Sequence, residues 1–232
     1  MSVSVDSAGV DRRGLATLVG GAAGCAAAFA LVTLAVATGW RATGALDDTW
    51  SSMAFSFTLQ HQWTQAIARA VTWTANTSTL TVLTVCVVLA CVLARRFTLA
   101  TWLAVTVAGS AALNSAVKAG MERPRPPTVG ILASAHGFAF PSGHAQGAAA
   151  TYTAIVLVVG WQVLTPGRRM RVISATAVVL LVAAVGASRV LLGVHWPTDV
   201  LGGWLLGSAW VLAAAAVALR WLVPPVPATQ LG

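Results

Sequence analysis

The sequence predicts an all-α fold: a bundle of six transmembrane helices, with an interfacial amphipathic segment between the first two, in one domain over residues 1–232. Hydrophobic residues make up 57% of the 232 positions and the mean hydropathy is +0.80, which is typical of a membrane protein and not of a soluble domain. Charged residues make up only 9%. A bilayer-spanning helix needs about 20 apolar residues. Six charge-free stretches meet or approach that length, at residues 15–40, 70–94, 97–117, 145–166, 172–188 and 200–219.

The first predicted span is too long for the core of a signal peptide. We therefore expect it to remain as a membrane anchor behind a short, loosely ordered cytoplasmic tail at residues 1–13.

The segment after this span, residues 45–73, has a different pattern. Leu46, Trp50, Met53 and Phe57 recur at steps of four, three and four, with acidic and amide side chains between them. This spacing predicts an amphipathic helix, broken along its length, that lies at the outer membrane interface. Its tryptophans suit the headgroup level, so we interpret the segment as an interfacial anchor.

Two local patterns concern helix packing and connection. The loop at residues 119–140 is the longest connection without apolar periodicity, and its prolines block helix formation and stiffen it. Two glycine pairs at G-x-x-x-G spacing predict close packing of helices: Gly20 with Gly24, and Gly203 with Gly207.

Basic residues predict the topology. Eight arginines fall at alternate ends of the predicted spans and therefore on one side of the membrane: Arg12, Arg13, Arg95, Arg96, Arg168, Arg169, Arg171 and Arg220. By the positive-inside rule this side is cytoplasmic, so we expect a multi-pass plasma-membrane protein with both termini inside. The net charge of +8 is then a topology signal, and no nucleic-acid partner is predicted.

The three cysteines, Cys25, Cys86 and Cys91, all lie within predicted spans. They form neither a disulfide framework nor a metal-ligand spacing. We interpret them as small packing residues, and the sequence predicts no metal site and no cofactor.

Half of the remaining charged residues lie in three short pieces, residues 118–126, 141–144 and 188–199. If the spans alternate in direction, all three pieces meet at the non-cytoplasmic face. A lone arginine at a helix end is usually a snorkelling anchor, and a lone histidine is usually structural. Three such pieces at one face of a chain poor in charge instead indicate a functional site.

The residue types in these pieces suit a phosphate. Lys118, Arg125 and Arg189 can surround an anion, and arginine binds phosphate oxygens in pairs. Ser142 is expected to begin the fourth predicted span, with Gly143 next. A helix N-terminus offers unpaired N–H groups to an anion, and glycine permits close approach.

The histidines suit phosphoryl transfer. Asp199 follows His195 by four residues, so its carboxylate can hold one ring nitrogen and leave the other free to attack. His144 is placed to protonate a leaving oxygen. A nucleophile, an acid and a cationic cradle together make a phosphoryl-transfer site without a metal.

At these residues the chain resembles the type-2 phosphatidic acid phosphatase superfamily. The signature of that superfamily, K-x6-R-P, P-S-G-H and S-R-x5-H-x3-D, matches at every fixed position, and the resemblance covers about residues 118–207. It implies that His195 is the nucleophile that forms a phosphohistidine, that Asp199 orients it, and that His144 is the acid. It implies a structural role for Ser188 and a phosphate cradle made of Lys118, Arg125, Ser142, Gly143 and Arg189.

The resemblance also implies a function. We expect an integral membrane lipid phosphatase that removes a terminal phosphate at the outer face, with undecaprenyl diphosphate as the first substrate candidate, then phosphatidic acid or phosphatidylglycerol phosphate. Two alternatives stay open: a lipid phosphotransferase with the same phosphohistidine, and a non-catalytic lipid-phosphate binder. The vanadate-dependent haloperoxidases share the signature but are soluble, so six apolar spans argue against them. The segment 45–73 has a second interpretation, a wall that guides a lipid tail.

Other polar residues of the loop lie outside the signature. We expect Arg123 to be a solvated or headgroup-facing charge, with contact to a second phosphate as the alternative. Glu122, His136 and His61 receive no role.

Overall fold

The structure is a computed structural model that describes residues 12–162 and 167–221. Within these ranges all regular structure is α-helical, which confirms the predicted fold class. The helices are α1 (Arg12–Ala37), α2 (Arg41–Gln60), α3 (Gln62–Trp73), α4 (Thr77–Leu93), α5 (Phe97–Met121), α6 (Gly143–Gln162), α7 (Arg168–Leu191) and α8 (Pro197–Trp221). Most of the predicted tail at residues 1–13, and the end of the fourth predicted span, lie outside the described residues.

Four helices, α1, α5, α7 and α8, are long and apolar enough to cross a membrane. The bent pair of α3 and α4 makes a fifth candidate if it counts as one span. The protein is therefore a multi-pass membrane protein, and the count of six spans stays a prediction.

The prediction of one continuous helix over residues 70–94 is wrong. The chain bends by 40° between α3 and α4, and Asn76 has an extended conformation immediately before α4. The carbonyls freed by the break are satisfied by hydroxyl groups: Thr79 Oγ1 donates to Trp73 O over 2.8 Å, and Tyr152 Oη donates to Thr74 O over 2.7 Å. Apolar composition did not reveal the break because the residues that stabilise it are hydroxyl and amide side chains within an apolar stretch.

The segment 45–73 is helical and broken, as predicted, and the structure has the break at His61. The apolar residues that predicted its amphipathicity, such as Leu46 and Trp50, are exposed, whereas Asp47 and Ser51 are buried against the rest of the protein. The polar face of α2 therefore packs inward. Its position at the membrane interface stays a prediction.

The two glycine pairs behave differently. A Cβ on Gly203 would lie 2.6 Å from Ser142 O, and one on Gly207 would lie 2.6 Å from Gln146 O, so α8 and α6 are in backbone contact, as predicted. A Cβ on Gly20 or Gly24 would meet nothing within 4 Å. The prediction of close packing at that pair is therefore wrong, because α1 packs on α8 through other positions.

The core lies between α5, α6 and α8, and it holds Leu103, Ala154 and Val211. Of the cysteines, Cys91 belongs to this core, whereas Cys86 is exposed; all three cysteines are free thiols. The interpretation as a packing residue thus holds for Cys91 and not for Cys86.

Candidate active site

The three signature pieces meet at one end of the helix bundle. They come from the C-terminal end of α5 with its following loop, the N-terminal end of α6, and the junction between α7 and α8. A cavity of about 480 Å³ lies between them, lined by six of the predicted residues: Lys118, Arg125, Gly143, His144, Arg189 and His195. The other two, Ser142 and Asp199, are fully buried beside it. The structure thus brings together all eight residues that the sequence singled out.

The junction between α7 and α8 positions His195. Its Nδ1 lies 3.2 Å from Asp199 Oδ2, which also accepts a hydrogen bond of 2.9 Å from Trp196 N. With a carboxylate as its partner, Nδ1 carries the proton, and Nε2 is the nitrogen near Arg125 Nη1, at 3.2 Å. Burial lowers the pKa of His195 to about 4, although the hydrogen bond with Asp199 opposes the shift. The imidazole is therefore neutral at pH 7, with an unprotonated Nε2.

His144 lies in the first turn of α6 and faces the break between α3 and α4. Its Nε2 lies 2.9 Å from Oδ1 of Asn76, the residue that precedes α4. Sequence reasoning missed Asn76; the available signal was an amide side chain within an apolar stretch.

The basic residues of the cradle are held by loop carbonyls and by α3. Lys118 Nζ donates to Phe138 O over 2.6 Å. Arg125 donates to the carbonyls of His136, Gly137 and Val194, each over 2.9 Å. Arg189 Nη1 donates to Thr72 Oγ1 over 2.6 Å, so α3 supports a cation of the site.

Two buried polar atoms of the cradle have no hydrogen-bond partner within the described residues, Ser142 Oγ and Arg189 Nε. Buried polar groups are nearly always paired, so both atoms fit a site that binds an anion. Nearby, Ser142 N donates to Asp199 O over 2.9 Å, which joins the start of α6 to the start of α8 through main-chain atoms.

Arg123 corrects a prediction. Its side chain is only 16% exposed and makes two ion pairs, Nη1 with Asp199 Oδ1 at 2.6 Å and Nη2 with Asp47 Oδ2 at 2.7 Å. It is therefore neither solvated nor headgroup-facing, and both of its terminal nitrogens are paired with carboxylates of the protein. Asp47, on the buried face of α2, was also missed, because no local pattern joins residues 76 positions apart.

The remaining polar residues near these motifs have structural contacts. Ser188 Oγ donates to Val185 O over 2.6 Å within α7, in keeping with its expected structural role. His61 separates α2 from α3 and stacks on Phe57 at 4.3 Å between ring centroids. Glu122 ends α5 in a left-handed conformation. In the described ranges no three His, Cys, Asp or Glu side chains are grouped so as to hold a metal ion.

The fold and site define an all-α membrane protein with a histidine–aspartate pair and a cationic cradle at one end of the bundle. The chain belongs to the PAP2 superfamily, whose family model matches residues 99–222, more than half of the chain. This confirms the resemblance found at the signature motifs.

Relatives with two different names match part of the chain. Phosphatidylglycerophosphatase B of Bacillus subtilis (strain 168) is 42% identical over 97 residues, covering 41% of this chain and 46% of the relative. Phosphatidylglycerophosphatase B of Escherichia coli (strain K12) is 42% identical over 96 residues, covering 40% and 34%. Undecaprenyl-diphosphatase of Sulfolobus acidocaldarius is 40% identical over 74 residues, covering 32% and 30%. Each match spans less than half the length of the relative.

One crystal structure is similar over nearly the whole chain. It is described as the first transmembrane PAP2 type phosphatidylglycerolphosphate phosphatase from Bacillus subtilis. The TM-score is 0.79, with 24% identity, over 87% of this chain and 97% of the other. At this identity the similarity shows a shared fold.

Proposed function

We propose that this protein is a membrane lipid phosphatase of the PAP2 type, which hydrolyses the terminal phosphate of a lipid phosphate or diphosphate. One observation carries the proposal: His195, its carboxylate partner, a second histidine and three cations converge on one cavity. Phosphoryl transfer needs positioning and charge neutralisation more than any other contribution, and these residues supply both.

The proposed reaction has two steps. In the first, Nε2 of His195 attacks the terminal phosphorus, and the bond from that phosphorus to the oxygen of the departing lipid alcohol or lipid monophosphate breaks. His144 donates a proton to that oxygen. In the second, His144 takes a proton from water, the water oxygen attacks the phosphohistidine, and inorganic phosphate leaves with His195 restored. Asp199 keeps the proton on Nδ1 throughout, so that Nε2 is the nucleophile in the first step and the leaving group in the second.

The cradle would hold the phosphoryl oxygens. Lys118, Arg125 and Arg189 offset the charge that builds up in the transition state. Ser142 Oγ and Arg189 Nε, the two unpaired buried atoms, are suited to donate to the same group. A Cβ on Gly143 would come no nearer than 3.4 Å to another atom of the protein, so packing does not demand glycine there. Glycine at this position would instead allow a phosphate to approach the main chain closely.

The lipid tail would lie between α4 and α5. The cavity continues from the cradle along both helices, past Leu80 on α4 and Val107 on α5. No residue from 45–73 lines this cavity, which favours the anchor over the guiding wall for that segment. We rank undecaprenyl diphosphate first and phosphatidic acid or phosphatidylglycerol phosphate next; relatives named for the first and the last of these support testing both classes.

We also propose the predicted topology of six spans, with termini in the cytoplasm and the cavity at the outer face. The arginines that begin α1, link α4 to α5, begin α7 and end α8 lie at the bundle end opposite to the cavity. Cysteines introduced beside the cavity and beside Arg95 test it in whole cells. Labelling of the Arg95 site by a membrane-impermeant reagent, and not of the cavity site, would reverse the orientation.

The function is tested by phosphate release from the purified, detergent-solubilised protein. Undecaprenyl diphosphate, phosphatidic acid and phosphatidylglycerol phosphate are offered in parallel with excess chelator. His195→Ala is the inactive variant, and His61→Ala is the matched control because His61 lies away from the cavity. Release that is lost only in His195→Ala supports the proposal. Transfer of phosphate to a second lipid would instead indicate the phosphotransferase, and binding without loss of phosphate would indicate the binder.

A further inference from the structure

We infer that Asp47 and Arg123 are positioning residues for the reaction, because they fix Asp199 and through it the imidazole of His195. Neither residue belongs to the signature, and Asp47 comes from a helix outside the signature region. The inference rests on the proposed function, since it concerns the nucleophile of that reaction.

Asp47 is joined to the first turn of α8. It is 1% exposed and accepts hydrogen bonds from Thr198 N over 2.9 Å and from Thr198 Oγ1 over 2.6 Å. The first N–H groups of a helix have no partner within the helix, so this carboxylate acts as an N-cap supplied by another helix. The position of α2 therefore bears directly on the turn that carries Asp199.

Arg123 is fixed on several sides. One terminal nitrogen donates to Asp199 Oδ1 over 2.6 Å, and the other donates to Asp47 Oδ2 over 2.7 Å. The guanidinium lies 5.8 Å from the centroid of the Trp196 ring, and Trp196 Nε1 donates to the carbonyl of Pro124 over 3.1 Å. A lysine has no second donor group at this spacing, so it would not bridge both carboxylates.

These contacts leave Asp199 one orientation. Arg123 binds Oδ1, while Trp196 N and His195 Nδ1 share Oδ2, and the carboxylate is fully buried. A carboxylate held at both oxygens in turn fixes the plane of the imidazole, so that Nε2 stays beside Arg125. Partners behind a functional histidine set its orientation and basicity.

The net charge of the network formed by Asp47, Arg123 and Asp199 favours a positively charged imidazole. Asp47, Arg123 and Asp199 together carry −1 when His195 is neutral, from charges of −1, +1 and −1. The imidazole of His195 gains positive charge as Nε2 bonds to phosphorus. The net charge of the imidazole and the network together then approaches zero. Loss of Arg123 would leave two buried carboxylates near one another. Loss of the Asp47 charge would remove the excess negative charge that favours a positively charged imidazole.

The experiment compares Asp47→Asn with Asp48→Asn. Both remove one negative charge from α2, but Asp48 is exposed. We expect Asp47→Asn to lower kcat about 10- to 100-fold with KM within about twofold, as is typical when a partner behind a functional histidine is lost. Asp48→Asn should match the wild type. Trapping of the phosphoenzyme should show the same fall in its rate of formation.

Three variants of Arg123 separate positioning from stability, because Asp47 also caps α8. Arg123→Lys keeps the charge and should lower kcat. Arg123→Ala should also lower kcat and should recover part of it when guanidinium is added. Arg123→Gln should move the acidic limb of the kcat/KM profile to higher pH, since the negative charge of Asp199, and behind it that of Asp47, is then no longer offset by a guanidinium. The other charged and titratable groups around that ring, Arg125, Arg189, Lys118 and His144, are unchanged in these variants.

The outcomes separate the two proposals. If the wild type releases no phosphate from any lipid, the proposed function fails and this inference fails with it. If the wild type is active and Asp47→Asn and Arg123→Lys retain full kcat, the inference alone is overturned. If Asp47→Asn does not fold, the Arg123 variants decide. A wild-type kcat in folded Arg123→Lys, or no rescue of Arg123→Ala by guanidinium, overturns the inference. A lower kcat in Arg123→Lys together with rescue of Arg123→Ala supports the inference.

Discussion

Asn76 is expected to support the acid of the reaction, and its contribution can be measured by Asn76→Ala. The substitution removes the 2.9 Å contact between the amide and His144 Nε2. A hydrogen bond between neutral groups contributes about 0.5–1.5 kcal/mol, and about 1.4 kcal/mol corresponds to a tenfold change in rate. We therefore expect kcat with a lipid substrate to fall about 2- to 12-fold. His144→Ala should lose more, up to the about 10²- to 10⁴-fold typical of general acid–base catalysis.

The assay compares two leaving groups. The lipid in this assay is a phosphate monoester, phosphatidic acid or phosphatidylglycerol phosphate, because its alkoxide must be protonated as it departs. The phenolate of p-nitrophenyl phosphate leaves without much help. Asn76→Ala should thus lower the release of phosphate from the lipid and leave that from p-nitrophenyl phosphate near the wild-type rate. Thr79→Ala is the control, since it removes a 2.8 Å hydrogen bond from the same helix break without touching His144. An equal fall with both substrates, or a fall of the same size in Thr79→Ala, would refute the reasoning.

Three further predictions concern the cradle, the helix contact and pH. Arg189→Lys should raise KM and lower kcat, so that kcat/KM falls about 10²-fold in a phosphate-release assay, whereas Arg69→Lys should change neither constant. Equal effects of the two variants would show that Arg189 does not bind the phosphate. Gly203→Val should destabilise the fold by about 1–3 kcal/mol because its Cβ would meet Ser142 O at 2.6 Å, and Gly20→Val should not; detergent melting temperatures compare them. Since burial lowers the pKa of His195 from 6.5 to about 4, the unfolded chain binds more protons between these values, so stability should fall as the pH drops through that range. Melting curves of His195→Asn should lose part of this dependence, and an unchanged dependence would contradict the assignment.

The grouping of the site residues was predictable because it depends on residue identity and on which helix ends carry them. The signature supplied His144, His195 and Asp199, and the alternation of the spans predicts that they lie at one face. Segment 45–73 was predicted as helical and broken for a similar reason, since the apolar period is a local property. The structure adds the spatial grouping, and the catalytic roles await the assays above.

Pairings across the chain were not predictable. Arg123 meets Asp47 and Asp199 over 76 positions in each case, and Asn76 meets His144 over 68. Apolar periodicity contains no information about such partners, so the sequence alone predicts a solvated Arg123, whereas the structure has it partly buried between two carboxylates. The G-x-x-x-G spacing at Gly20 failed for a related reason: it permits close contact but does not state that another helix lies there.

The joint between α6 and α8 has a consequence for how such a site changes over evolution. The N–H of Ser142 binds the carbonyl of Asp199 over 2.9 Å, and Gly203 lies against the same stretch of main chain. The distance between the cradle and the nucleophile is therefore set by main-chain atoms, which are the same for every residue type. The apolar residues of α4 and α5 along the cavity, such as Leu80 and Val107, take no part in this joint. If the proposed tail position between α4 and α5 holds, a lineage would acquire a new lipid by mutations there, with the distance from cradle to nucleophile unchanged.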